Sequence, residues 1–244
     1  MKKMFRTKLA FLLVAAALLT GGTFTSCSDG GESSGGDSAV EALPAPSGKD
    51  PFKSGCYRLN DEWWEFFFGF IDDDDYSVGL FNADSDDSIK FDTRTRTIEI
   101  LNKDKNVYWD SLQFRYTYNE TDKTVTLALS KVAIQTDPYK LIDSIINGND
   151  YDGGYKLGSL SEYKKTADTI YNNEDYQKWW TIDQGSLEDL AAHAKRYKAR
   201  YEKAFSTPLV YSYTINEDES IALDLTSPEP IYEFQSTTLQ FVVE

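Results

Sequence analysis

Residues able to do chemistry are sparse in this chain of 244 residues, and most of them are carboxylates. There is 1 histidine, His193, which excludes a multi-histidine metal site, and its setting argues against a histidine-based triad. His193 stands beside Ala192 and Ala194, near Lys195 and Arg196 and off its helix's apolar stripe, so a solvated side chain is expected. Neither a Gly-rich phosphate loop nor a G-x-S-x-G elbow is present, and no cofactor is implied. Asp72, Asp73, Asp74 and Asp75 follow one strand-like run and precede another, with Asp84, Asp86 and Asp87 further on. Oxygen-rich loops of this kind can hold Ca2+, which makes the four aspartates weak metal candidates. An EF-hand frame started at Asn82 fails, because Asp87 falls where glycine is needed and Thr93 where the final ligand belongs. Solvated turn aspartates are the plainer account. A carboxylate-pair glycosidase needs only two acids, and 40 Asp plus Glu leave that open, but no motif localises such a pair. The expectation is a protein without catalytic residues.

Aromatic side chains are the other resource: 5 Trp, 16 Tyr and 14 Phe. Trp109, Trp179 and Trp180 are the candidates for a ligand-binding surface, as a platform for sugar rings or the wall of an apolar pocket. Trp63, Phe66 and Phe68 read as core. Adjacent residues on a helix point in different directions, so one of Trp179 and Trp180 is expected to pin the helical segment and the other to face outward.

Strand periodicity positions most of these residues. Leu112, Phe114, Tyr116 and Tyr118 alternate with polar neighbours, as do Val125, Leu127 and Leu129. The polar stretch Asn119–Lys123 between them completes a hairpin with one buried face. Tyr211, Tyr213 and Ile215, then Ile221, Leu223 and Leu225, repeat the pattern around Asn216–Glu219. Further strands are expected at Gly55–Leu59, Trp63–Ile71, Tyr76–Phe81, Thr95–Leu101 and Tyr232–Val243. The Trp63–Ile71 run is apolar on both faces, as in a strand covered on both sides. In the last strand the parity slips between Phe234 and Leu239, which suggests a bulge.

From about residue 137 to 206 the period becomes helical. Asp137-Pro138 is a cap followed by a first-turn proline, opening a helix through Ile146. Ser159 with Glu162, and Ser186 with Asp189, read as capping boxes. Leu187, Leu190, Ala191, Ala194, Tyr197 and Tyr201 form one apolar stripe. The fold class expected is mainly β with a helical insert (α+β): an antiparallel barrel or curled sheet of about eight or nine strands, which removes exposed sheet edges.

The N-terminus has a different character. Lys2, Lys3, Arg6 and Lys8 precede an apolar run from Leu9 to Leu19, too short for the ~20 residues that span a bilayer. Thr20-Gly21-Gly22 breaks it, and Phe24-Thr25-Ser26-Cys27 follows. This arrangement resembles the signal peptide and lipobox of bacterial lipoproteins, with Phe24 standing where leucine is usual. The resemblance implies a signal peptide over residues 1–26, cleavage before Cys27, acylation of that thiol, and export to a membrane surface. Either the outer membrane or the cell surface fits, and Asp29, Glu32 and Asp37 resemble the acidic stretch that directs some lipoproteins outward. Residues 27–52, rich in Gly, Ser and Asp, read as a flexible tether, and residues 53–244 as the folded domain. The β-pattern itself is similar to that of lipocalin-like domains, with Gly55-Cys56-Tyr57 where such folds open with Gly-x-Trp.

Charge narrows the partners. The whole chain carries 25 Lys plus Arg against 40 Asp plus Glu, a net charge of −15. Loss of the four cations in residues 1–26 would leave 21 against 40, or −19. That repels nucleic acid and anionic headgroups. Cys56, the one cysteine besides Cys27, is expected as a small buried hydrophobe. Three functions remain in order: a non-enzymatic binding lipoprotein for a small apolar ligand or a glycan, a surface-interaction lipoprotein with a solid core, and a carboxylate-based hydrolase. The first would use the barrel mouth or a groove between barrel and insert, with the insert as a lid.

Overall fold

The computed structural model describes residues 39–59, 63–70, 77–84, 88–101, 111–227 and 238–243. In chain order the first strands are β1 (Gly55–Leu59), β2 (Trp63–Phe70), β3 (Ser77–Asp84), β4 (Ser88–Asp92) and β5 (Thr97–Leu101). They are followed by β6 (Leu112–Asn119) and β7 (Thr124–Gln135). Next come α1 (Pro138–Asn147), β8 (Tyr155–Gly158), α2 (Leu160–Tyr171), α3 (Glu174–Asp183) and α4 (Leu187–Ser206). The chain then returns to strands with β9 (Leu209–Ile215), β10 (Ile221–Ser227) and β11 (Thr238–Val243).

Eight of these strands close a barrel. The order β1-β4-β5-β6-β7-β9-β10-β11 is antiparallel throughout, and β11 returns to β1 through Tyr57↔Val243 and Leu59↔Phe241. Without the segments between β1 and β4 and between β7 and β9, it is a simple up-and-down meander, compatible with a lipocalin-like barrel. The expected helical insert is present between β7 and β9.

Alternation sends one face of each strand inward. Tyr57, Ile89, Phe91, Ile98, Ile100, Phe114, Leu127, Tyr211, Leu223 and Phe241 are all buried in one continuous core. The described interior is therefore packed with large side chains. The parity of β7 changes midway: Val125, Leu127 and Leu129 point inward, then Val132 and Ile134. A bulge at Ser130 accounts for this, since Leu129 pairs with Phe114 and Lys131 with Gln113, and the Ser130 hydroxyl donates to the Gln113 carbonyl at 2.8 Å.

The two ends of the barrel differ. At one end the connections are the tight turns Thr93–Arg96, Glu120–Lys123 and Asn216–Ser220. Each contains one non-glycine residue at positive φ: Arg96, Lys123 and Glu219. Every longer connection, including the β2–β3 segment and the helical insert, leaves from the opposite end.

Several expectations are revised. Composition places residues 39–52 in a flexible tether, yet Ala39 N–H donates to the Phe205 carbonyl and Ser47 bridges to Asn119. Phe52 is buried against Phe91 and Tyr116 at the tight-turn end, with ring centroids 4.4 and 5.3 Å away. Two large apolar contacts and a set of backbone bonds outweigh a local composition that has little to bury. Among the described residues, the strand carrying Trp63, Phe66 and Phe68 pairs only with β3, in a separate two-stranded sheet apart from the barrel wall. Cys56 is exposed, because β1 turns Tyr57 inward and its neighbour out. The proposed bulge between Phe234 and Leu239 falls largely outside the described residues.

Candidate functional site

The helical insert begins where β7 outruns its barrel partner. β9 pairs with Thr124–Leu127, and beyond them β8 pairs with Val132–Gln135 on β7. The bulge at Ser130 keeps Val132 and Ile134 in the core, and Ala133 and Gln135 face the insert.

Local capping fixes each helix over that ribbon. The Asp137 carboxylate accepts from Tyr139 N–H and Lys140 N–H ahead of Pro138, and Gly148, at φ 66°, ends α1 in the left-handed conformation. Ser159 with Glu162 and Ser186 with Asp189 form reciprocal capping boxes on α2 and α4. Asn173 caps α3.

The helices border an open-sided cavity of about 520 Å³ between insert and barrel. From α2 come Tyr163, Thr166, Ala167, Ile170 and Tyr171, a run of three- and four-residue steps that places them on one face. From α4 come His193, Tyr197, Arg200 and Tyr201, again one face. Leu141 and Ile145 of α1, Tyr176 of α3, and Tyr155 with Gln135 and Ala133 of the β-ribbon complete the wall.

Aromatic rings dominate it. Tyr163 and Tyr201 stack with centroids 3.8 Å apart, and His193 lies nearly parallel to Tyr197 at 6.0 Å. The Tyr171 hydroxyl is 3.2 Å from His193 Nδ1, a hydrogen bond whose direction follows the imidazole tautomer. Burial, reinforced by neighbouring tyrosines, holds the hydroxyls of Tyr163, Tyr171 and Tyr201 far above the ordinary phenol value. Burial, assisted by the charge of Arg196, pushes His193 below its usual value, so the imidazole is neutral at pH 7. Arg200 therefore supplies the formal charge on this wall, and none of the lining residues is an acid. Two polar atoms here are buried and without hydrogen-bond partners: the Tyr163 hydroxyl and Arg200 Nε.

Such a wall offers ring faces, neutral hydroxyls and one cation. The acid pair that glycoside hydrolysis requires has no carboxylate here to draw on.

Sequence and structure overlap partly at this site. His193, expected in solvent, is half-buried, since the turn of α4 that carries Tyr197 also carries His193 toward the cavity. The stripe read as one apolar face divides: Leu190 and Ala194 are core, Tyr197 and Tyr201 line the cavity, and Leu187 is 53% exposed. Trp179 and Trp180 pack with Ile142, Tyr176 and Leu190 in a second cluster, joining helix to helix. Trp180 is 5.4 Å from His193 by ring centroids, beside the cavity and not among its lining residues. Tyr155, Tyr163, Tyr171 and Arg200 were not singled out by sequence; the i, i+8 pair of tyrosines on α2 is the signal that marks their shared face. Trp109, Asp72, Asp73, Asp74, Asp75 and Cys27 lie outside the described residues. Among the described residues no cluster of three or more His, Cys, Asp or Glu is arranged to hold a metal ion, and no helix is long and apolar enough to cross a membrane.

Comparison with known protein families, with curated proteins and with solved structures gives no match. The reading of function therefore rests on the chain's own geometry.

Proposed function

We propose that this chain is an exported lipoprotein, acylated at Cys27 and held at a membrane, whose folded part binds a small ligand without chemical turnover. The observation that carries the binding part is the cavity of about 520 Å³ between the helical insert and the β7–β8 ribbon, a size suited to a small molecule. Its tyrosine-rich wall favours a ligand with ring faces and polar substituents, such as a glycan or an aromatic compound. The filled barrel interior favours this groove over the barrel lumen as the seat. Membrane attachment is supported by the lipobox-like Ser26-Cys27 and the charged and apolar segments ahead of it.

A thermal-shift screen of the full-length protein against oligosaccharides, fatty acids and aromatic compounds tests the binding part. A ligand present at a hundred times its Kd stabilises by ~2.7 kcal/mol. The stabilisation should vanish in Thr166→Trp, which fills the cavity from α2. A shift that survives this substitution unchanged would place the ligand elsewhere.

A second reading, a surface-interaction protein with a macromolecular partner, draws on the solid barrel and on Ile182, 80% exposed, and Leu187 either side of the α3–α4 turn. No shift with any compound class would favour it.

A further inference from the structure

Arg200 is the cation of an acid-free cavity wall. The chain has 40 acidic residues, and the outer side of the α2–α4 pair uses them: Lys164 pairs with Glu202 and Lys198 with Asp168. Arg200, on the inner side of the same helix, has no ion pair among the described residues, and its Nε is buried without a partner. Arg200 as a whole is half-buried, with Nε its buried atom, so a guanidinium partly open to the cavity is placed to meet an anion there. Its surroundings do not supply one, because the lining contains tyrosines, threonine, glutamine, a neutral imidazole and aliphatic groups, and no carboxylate. Beside it, Tyr163 is 6% exposed and also brings an unpaired hydroxyl to this wall. The cavity thus combines a cation with no carboxylate in the lining, a spare hydroxyl donor and stacked ring faces within a protein whose net charge is −15.

We infer that the ligand is an organic acid, its carboxylate paired with Arg200 and its ring body lying against the tyrosines. This rests on the reading of the cavity as a ligand site and adds the ligand's charge and shape. A guanidinium presents a fixed fork of N–H donors that matches a carboxylate, and Tyr163 can donate to the same group. The ring body follows from the remaining wall: a bare acyl chain would leave Gln135, Thr166 and the tyrosine hydroxyls facing hydrocarbon. With no acid in the lining to cancel Arg200, the wall favours an anion over a cation locally, against the negative charge of the chain as a whole.

Two matched pairs of probes test it on the full-length protein by calorimetric titration: 4-hydroxybenzoate with 4-hydroxybenzamide, and glucuronate with glucose. Each pair keeps the ring and differs in the carboxylate, and the two pairs distinguish an aromatic from a sugar body. At least one acid should bind about tenfold or more tightly than its neutral partner, the range of a charge-assisted hydrogen bond. In Arg200→Gln that preference should collapse to about unity, and Arg200→Lys, which keeps the charge without the fork, should retain part of it. Ligand-free melting curves of both variants establish that they fold. If acid and neutral partner bind wild type equally, and Thr166→Trp removes both, the cavity reading stands and the carboxylate proposal falls. A preference undiminished in Arg200→Gln removes Arg200 as the counter-ion. If no probe binds, the carboxylate proposal fails, and a simultaneously empty thermal screen removes the cavity reading as well.

Discussion

The Tyr116 hydroxyl donates a 2.9 Å hydrogen bond to Asp50 Oδ2, and the other carboxylate oxygen accepts from Phe52 N–H at 3.0 Å. This pair fastens the segment ahead of β1 across the tight-turn end of the barrel and seats Phe52 against Tyr116 and Phe91. Burial is the largest influence on Asp50 and raises its pKa above 3.8, against the lowering effects of Phe52 N–H, Tyr116 and Arg96. A carboxyl raised on folding is stabilising where both states are protonated, and that advantage is lost as pH climbs from 3.8 through the folded value. Urea unfolding of wild type and Asp50→Asn should therefore show wild type gaining on the variant as pH falls from 6 toward 4. Parallel stability curves over that interval would contradict the account.

Tyr163 should yield the opposite of an ordinary tyrosine truncation. Its hydroxyl is buried and unpaired, so Tyr163→Phe removes a desolvated group and keeps the ring stack on Tyr201. The ligand-free protein should gain up to ~1 kcal/mol, read by chemical denaturation. Affinity for the ligand should fall in the same variant. A loss of 1 kcal/mol or more would mean that the hydroxyl is already satisfied.

A packed barrel and a hollow one respond differently to core truncation. Leu127 is 0% exposed on β7, in contact with the continuous interior cluster. Leu127→Ala should cost ~2–5 kcal/mol, because the surrounding side chains cannot collapse fully into the space. A cost below ~1 kcal/mol would indicate an interior with room to spare.

For the proposed anchor, Cys27→Ala should abolish acylation and move the protein from membrane to soluble fractions. Mass spectrometry of the wild-type N-terminus should find Cys27 as the modified first residue. Unchanged fractionation of the variant would remove the lipoprotein reading.

What was legible in the sequence followed from local rules. The capping pairs Ser159–Glu162 and Ser186–Asp189 stand where side-chain chemistry fixes a helix start, and the Asn119–Lys123 turn lies between two strictly alternating runs. Closure of β1 on β11 joins the two ends of the folded chain, and nothing within either strand specifies its partner. The four-residue β8 is too short for a periodic signal, and Trp63–Phe70 misled because an apolar run does not state which sheet it joins. The cavity was hidden for the same reason. Its wall is drawn from several separate elements, and Arg200 in sequence looks like any cation of a long helix. Only the rotation of α4 and the bulge at Ser130 turn these residues toward one another.

His193 reports on a ligand between the helical insert and the barrel, because a single histidine gives a single imidazole signature. Its ring lies in the cavity wall, 3.2 Å from the Tyr171 hydroxyl. In the free protein, NMR titration should place its midpoint below the ordinary imidazole value of 6.5, as burial and Arg196 require. Addition of the compound that most raises the melting temperature should shift the His193 ring resonances saturably, with the Kd found by calorimetry. A compound that binds and stabilises the protein while those resonances stay fixed would contradict a ligand site between the helical insert and the barrel.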